Sequence, residues 1–219
     1  MIPEPQHLTA KVAANLEADK KAFHDSMAKV QKQIDATTAE VNKLRAELKT
    51  QTDEAKAKTM ARVTELTKDL DAVRKEQQAR IEERLKQLHT SIQSIDAELK
   101  HASAEGKTAA EAKAKLLREE YDSARRSLIA STEAELVEWK ARINTAFDVA
   151  AEKKASATAA LQAKVADVHA KHEAAQKKLH ALKQANEAAF SELHRGVRVA
   201  IAEVKTALQH ARADIDAAS

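Results

Sequence analysis

The stretch that decides the fold is residues 168–208, VHAKHEAAQKKLHALKQANEAAFSELHRGVRVAIAEVKTAL. Its apolar residues recur in steps of three and four, which is the spacing of one face of an α-helix. They also recur in steps of eleven, in the rows Val168, Leu179, Phe190, Ile201 and Leu182, Leu193, Val204, Ile215. Eleven residues in three turns is close to the pitch of a straight α-helix. This stretch therefore predicts a straight helical structure with one continuous apolar stripe.

The eleven-residue spacing extends upstream in the row Leu117, Leu128, Trp139, Ala150, Leu161 and in shorter rows of the first half. Because the stripe is narrow and partly alanine, a single helix would be marginally stable, and the stripe needs a partner from the same chain or another. We expect self-association through this surface, which we call the apolar stripe. Its predicted residues are Leu117, Leu128, Trp139, Leu161, Val168, Leu179, Leu182, Phe190, Leu193, Ile201 and Val204.

The clearest interruption of the stripe lies at residues 100–111. Gly106 suits the end of a helix, and Thr108 with Glu111 has the spacing of a capping box. We predict a turn at 106–108 between helical segments 8–105 and 109–217, with residues 1–7 as a tail. Two weaker polar gaps lie at 49–58 and 152–158.

The fold-class prediction is all-α. If the polar gaps are turns, the chain forms four helices. If they are not, it forms a long antiparallel helical hairpin or coiled coil, which could build a four-helix bundle by dimerisation. Neither gap contains glycine or proline, which favours the long hairpin.

Composition excludes several function classes. The 219 residues include two Gly, two Pro, no Cys and 2% aromatics, which does not suit a βαβ enzyme or a disulfide framework. The net charge of +3 comes from interspersed Lys, Arg, Asp and Glu, whereas a nucleic-acid binder usually carries a strong basic excess. We therefore expect no nucleic-acid partner. With no secretory signal pattern and no apolar run of about 20 residues, we predict a cytoplasmic location and no transmembrane segment.

The best local cluster of metal-ligating residue types is His169, His172 and Glu173, which share one helix face. Zinc sites need about four ligands, or three with an open position, and no matching second cluster is present. We predict no metal site. No phosphate loop, nucleophile elbow or zincin motif occurs, so we also predict no catalytic residues, no cofactor and no enzyme activity.

Residues 171–208 resemble small bacterial coiled-coil proteins described as stress-responsive. The recurring pattern is matched on or close to Leu179, Leu182, Lys183, Ala185, Ala189, Phe190, Glu192, Leu193, Gly196, Val197, Ala200, Glu203, Val204 and Lys205. The chain departs from it at Ile201, in an aromatic position, and at His194, in a lysine position. The resemblance implies an all-helical, non-enzymatic cytoplasmic protein. The eleven-residue period is also similar to that of apolipoproteins, which is a likeness of fold alone.

Two hypotheses for function follow. The first is a structural or interaction protein that self-associates, preferably as a dimer, and presents charged faces to protein partners. The alternative is an amphipathic-helix protein whose bundle opens and binds a lipid or granule surface reversibly. Turns at the polar gaps would favour the second hypothesis, because the chain could then cover its own stripe.

Overall fold

The computed structural model describes residues 5–48, 50–152 and 159–217, and five α-helices account for most of them. They are α1 (Pro5–Glu47), α2 (Asp53–Leu99), α3 (Ala104–Glu152), α4 (Ala159–Lys183) and α5 (Glu187–Ala217). These ranges contain no strand, so the all-α prediction is confirmed. Helix dominates because Ala, Lys, Glu and Leu, the commonest residues here, are all strong helix formers.

The chain forms two compact units, Met1–Leu128 (unit 1) and Ile129–Ser219 (unit 2), and α3 contributes to each. In unit 1, α2 packs antiparallel against α1 and against the first part of α3. The pairs that fix these directions are Arg62 with Glu40, Arg80 with Ser26, Arg84 with Glu120, and Arg118 with Asp96. The largest fully buried side chains of this unit include Val41, Leu70, Ile81, Ile95 and Leu128.

Unit 2 contains the second part of α3, then α4 and α5. Lys183 and His172 of α4 contact Glu133 and Leu136 of α3, and the reversed order of these contacts makes the two helices antiparallel. At the far end of α4, Leu161 packs against Ile215 near the end of α5, so α4 and α5 form an antiparallel hairpin. Each helix therefore turns its apolar face toward the other helices of its own unit.

The first polar gap contains a turn. The helix α1 ends at Glu47, and α2 begins at Asp53, after Thr52 in an extended conformation. The backbone N–H of Lys56 donates to the carbonyl of Thr52 over 2.8 Å, which closes the first turn of α2. The preference for an unbroken first segment was therefore wrong, because the extended backbone of Thr52 interrupts the helix without glycine or proline, although its side chain makes no capping hydrogen bond.

The turn between α2 and α3 lies earlier than predicted. It spans residues 100–103, and the N–H of Lys107 donates to the carbonyl of Ser103 over 2.8 Å. Gly106 lies in the first helical turn of α3, and Thr108 and Glu111 are exposed residues within that helix. The predicted turn at 106–108 is wrong because Ser103, a favoured N-cap residue type, already starts the helix.

Two further boundaries differ from the predicted segments. The helix α1 begins at Pro5, inside the predicted tail 1–7, because proline is well suited to the first helical position. The predicted segment 109–217 contains a turn at residues 184–186 that the stripe did not indicate. Most of the second polar gap, residues 153–158, lies outside the described residues, and the helices on either side end at Glu152 and begin at Ala159.

Candidate functional site

The apolar stripe is covered by the chain itself. Ten of its eleven predicted residues are buried, and Leu193 is half-buried. Val168, Leu182 and Val204 have no measurable exposure. The pattern therefore identified the buried face, but a second chain is not needed to cover it. Among the described residues, the large apolar side chains that remain exposed are Val137 and Val199.

In unit 2 the turn between α4 and α5 is closed by one side chain. Asn186 Oδ1 accepts a hydrogen bond from the backbone N–H of Ala189 over 2.9 Å, and the Asn186 carbonyl accepts from the N–H of Phe190. This is the arrangement of an N-cap residue, which satisfies amides that have no partner within the helix. This cap was not predicted from the sequence, although asparagine followed by a glutamate is a usable start signal.

Basic residues recur beside the buried face of each helix of this hairpin. On α4, Lys164, Lys171 and Lys178 recur every seven residues, and the first two line the groove between α4 and α5. On α5, Arg198, Lys205 and Arg212 have the same spacing. Some of these cations pair with acids on the same surface: Lys164 with Asp214, and Lys171 with Asp167.

A buried ion pair lies on α3 inside unit 2. Arg142 Nε donates to Glu138 Oε1 over 3.1 Å, and both side chains are at most 5% exposed. The Arg142 guanidinium also lies over the ring of Trp139, 4.3 Å from its centroid. Burying two charges costs desolvation free energy that offsets much of their attraction, so this ion pair is a weak source of stability for the core.

The histidines of unit 2 add further polar groups to the core. His172 is buried, and its Nε2 lies 2.9 Å from the backbone carbonyl of Leu136, to which it donates as the Nε2–H tautomer. His194 is buried and stacks on Phe190 with the ring centroids 6.3 Å apart. Unit 2 therefore buries two imidazoles as well as an ion pair among its apolar side chains.

The predicted histidine cluster is not brought together as a ligand set. His169 and Glu173 are exposed, and the His169 ring lies 5.7 Å from that of Phe147, while His172 points into the core. In the part of the chain that the structure describes, no three side chains of metal-ligating type converge.

Unit 1 also buries polar side chains among its apolar ones. Both Nε and Nη2 of Arg84 donate to Oε1 of the buried Glu120, over 2.8 and 2.5 Å. The same guanidinium lies 5.8 Å from the ring centroid of Phe23, so one arginine connects α1, α2 and α3. Gln77 donates to Gln31 over 3.1 Å across the α1 and α2 interface. Neither unit therefore has a purely apolar core.

The chain matches no family model, no curated protein and no solved structure. The resemblance of residues 171–208 to small bacterial stress-responsive proteins therefore stays a prediction. Across residues 5–48, 50–152 and 159–217, no helix has an apolar stretch long enough to cross a membrane.

Proposed function

We propose that the chain is a non-enzymatic helical protein that binds an anionic lipid surface, or a granule coated with one, by opening unit 2. The observation that carries this proposal is the covered apolar stripe of α4 and α5 with cations beside it on each helix. In the closed protein the helices cover one another. On a surface, the same stripe would contact the acyl region, and the flanking cations would reach the head groups.

The covering of the stripe by the same chain supports this function over obligatory dimerisation. A stripe that requires a second chain would leave its large residues exposed in one protomer, whereas Val168, Leu182 and Val204 are fully buried here. Each closed hairpin is joined by a short turn, so its helices can separate and return without losing their register.

The buried polar side chains of unit 2 support reversible opening. Glu138, Arg142, His172 and His194 are all buried, and each occupies space that an aliphatic residue would use to stabilise the closed form. Burial of one large apolar side chain contributes about 1.5–3 kcal/mol. Because polar groups occupy several such positions, the closed form is less stable, and a surface has to offset a smaller free energy of opening.

The test is flotation of the full chain with vesicles of phosphatidylcholine, with and without phosphatidylserine, at low ionic strength. Because the chain has no cysteine, the substitutions Lys164→Cys and Asp214→Cys create a specific pair. These two residues face each other across α4 and α5, so a bismaleimide with a cleavable disulfide can fasten the hairpin.

We expect the uncrosslinked variant to float with anionic vesicles, the crosslinked form to remain unbound, and reduction of the linker to restore flotation. Comparison before and after reduction uses the same molecules and so controls for the two substitutions. Equal flotation of the crosslinked and reduced forms would show that opening is not needed, and no flotation of the native chain would end the proposal.

Self-association is a second candidate, and the exposure of Val199 favours it. Val199 lies in an open groove between α4 and α5, whose lining includes Ala202 and Ala207. Small residues allow the helix of a second copy to approach closely. Light scattering during size exclusion tests this second candidate. We expect the native chain to form an oligomer and Val199→Lys to dissociate it. A monomer of 24.0 kDa at all concentrations would contradict self-association.

A further inference from the structure

The turn between α4 and α5 interrupts the stripe without changing its phase. The rows Val168, Leu179, Phe190, Ile201 and Leu182, Leu193, Val204, Ile215 both cross residues 184–186 at intervals of eleven. In the folded protein seven of these eight side chains are buried, with Leu193 half-buried. A third row behaves alike: Ala175, Val197 and Leu208 are buried, and Asn186 holds the position between the first two.

An antiparallel hairpin does not require this agreement. Its two helices run in opposite directions, so the buried face of α5 is set by the length of the turn and not by the helical phase of α4. A common phase is required where both segments belong to one straight helix, because eleven residues return to the same face after three turns. Residues 184–186 also contain no glycine or proline that would stop a helix.

We infer that the turn at residues 184–186 is a switch, and that α4 and α5 merge into one continuous helix when unit 2 opens. The merged helix carries a single apolar stripe from Leu161 to Ile215. Lysines recur beside it on α4, and basic residues recur beside it on α5. The inference rests on the proposed function in one respect, since an anionic interface is what holds the merged form.

The Asn186 cap and the residue after it determine which form is favoured. In the hairpin, Glu187 is the first helical residue of α5, a position at which proline is favoured. In a merged helix the same residue is internal, and its N–H must donate to the carbonyl of Lys183. Proline lacks that N–H and clashes with the preceding turn. Glu187→Pro therefore permits the hairpin and prevents the merged helix, and Glu187→Ala is the matched control.

Energy transfer between dyes reports the two forms directly. Ala163 and Ala213 are exposed, so both can be replaced by cysteine and labelled. In the hairpin the dyes lie on neighbouring helices, since packed helices are about 8–10 Å apart. In the merged helix the separation of 50 positions corresponds to about 75 Å. A pair at Ala163 and Lys177, both on α4, serves as a control whose distance is the same in either form.

With anionic vesicles, we expect energy transfer of the long pair to fall to near background while that of the control pair is unchanged. Glu187→Pro should keep high transfer and reduce the vesicle-bound fraction at least about fivefold, whereas Glu187→Ala should behave as the native chain. High transfer of Glu187→Pro in solution, equal to native, verifies that its hairpin has formed.

The outcomes separate this inference from the proposed function. Flotation without loss of transfer would overturn the merged helix and leave surface binding intact. If nothing floats, surface binding fails, and the inference is decided in solution by Asn186→Ala, which removes the cap. A low-transfer population that Asn186→Ala increases and Glu187→Pro abolishes supports the switch. If this population is absent from both the native chain and Asn186→Ala, the switch is overturned.

Discussion

The two glycines of the chain lie within helices, which gives each a measurable cost. A methyl group on Gly106 would lie 3.5 Å from Ser103 Oγ, and one on Gly196 would meet nothing within 4 Å. Glycine inside a helix is less favourable than alanine by about 0.5–1 kcal/mol. We expect Gly196→Ala to raise the free energy of unfolding in urea by about that amount, and Gly106→Ala to raise it by less.

The Gly106 variant also tests the position of the turn. A glycine in the left-handed conformation of a helix end would make alanine destabilising. A loss of stability in Gly106→Ala would therefore restore the turn at 106–108, while a gain agrees with the turn at residues 100–103.

The buried pair of Glu138 and Arg142 should respond strongly to single substitutions. Arg142→Leu leaves a carboxylate buried without its arginine, and we expect a loss of about 3–5 kcal/mol in unfolding free energy. The double variant Glu138→Leu with Arg142→Leu removes both charges and should regain most of that loss. Trp139, the only tryptophan, lies under Arg142 and provides the fluorescence signal for urea unfolding. Equal losses in the single and double variants would mean that the packing of the arginine matters more than its charge.

At the scale of the element, Leu182 and Leu193 form a matched pair. They are eleven residues apart on the same row, yet Leu182 is fully buried at the end of α4 and Leu193 is half-buried on α5. Truncation of a buried leucine costs about 2–5 kcal/mol. We expect Leu182→Ala to lower the melting temperature clearly more than Leu193→Ala, with both followed by circular dichroism. Similar losses would indicate that Leu193 is covered by a surface that the closed monomer does not show.

The helices and their buried faces were predictable because both depend on a local period. The ends of the helices were less so, because they depend on single cap residues. Ser103 and Asn186 start helices, whereas Gly106 and Thr108, which carried the stronger turn signals, lie inside one. The period of the stripe predicts that it is buried, but it does not predict which helix covers it. The burial of Glu138 and Arg142 could not be predicted, because it depends on how neighbouring helices pack beside α3.

At the scale of the whole molecule, the chain is almost entirely helical before it meets any partner. Five helices fill most of the described residues, so surface binding requires helices to rearrange and not to form. We expect far-ultraviolet circular dichroism to change little when anionic vesicles bind, in contrast to disordered segments that fold on binding. A large gain of helical signal would show that the free chain is substantially unfolded and would contradict the closed bundle.

The eleven-residue spacing of the apolar rows also determines which insertions and deletions this protein can accommodate. Insertion or deletion of eleven residues within one helix adds or removes three turns and leaves the later side chains of that helix on their original face. A change of one or two residues turns the later side chains of the same helix by about 100° or 200° and exposes part of its buried face. A hairpin of this design can therefore grow or shorten by blocks of eleven in both of its helices, and the apolar side of each added block then faces the matching block of the partner helix.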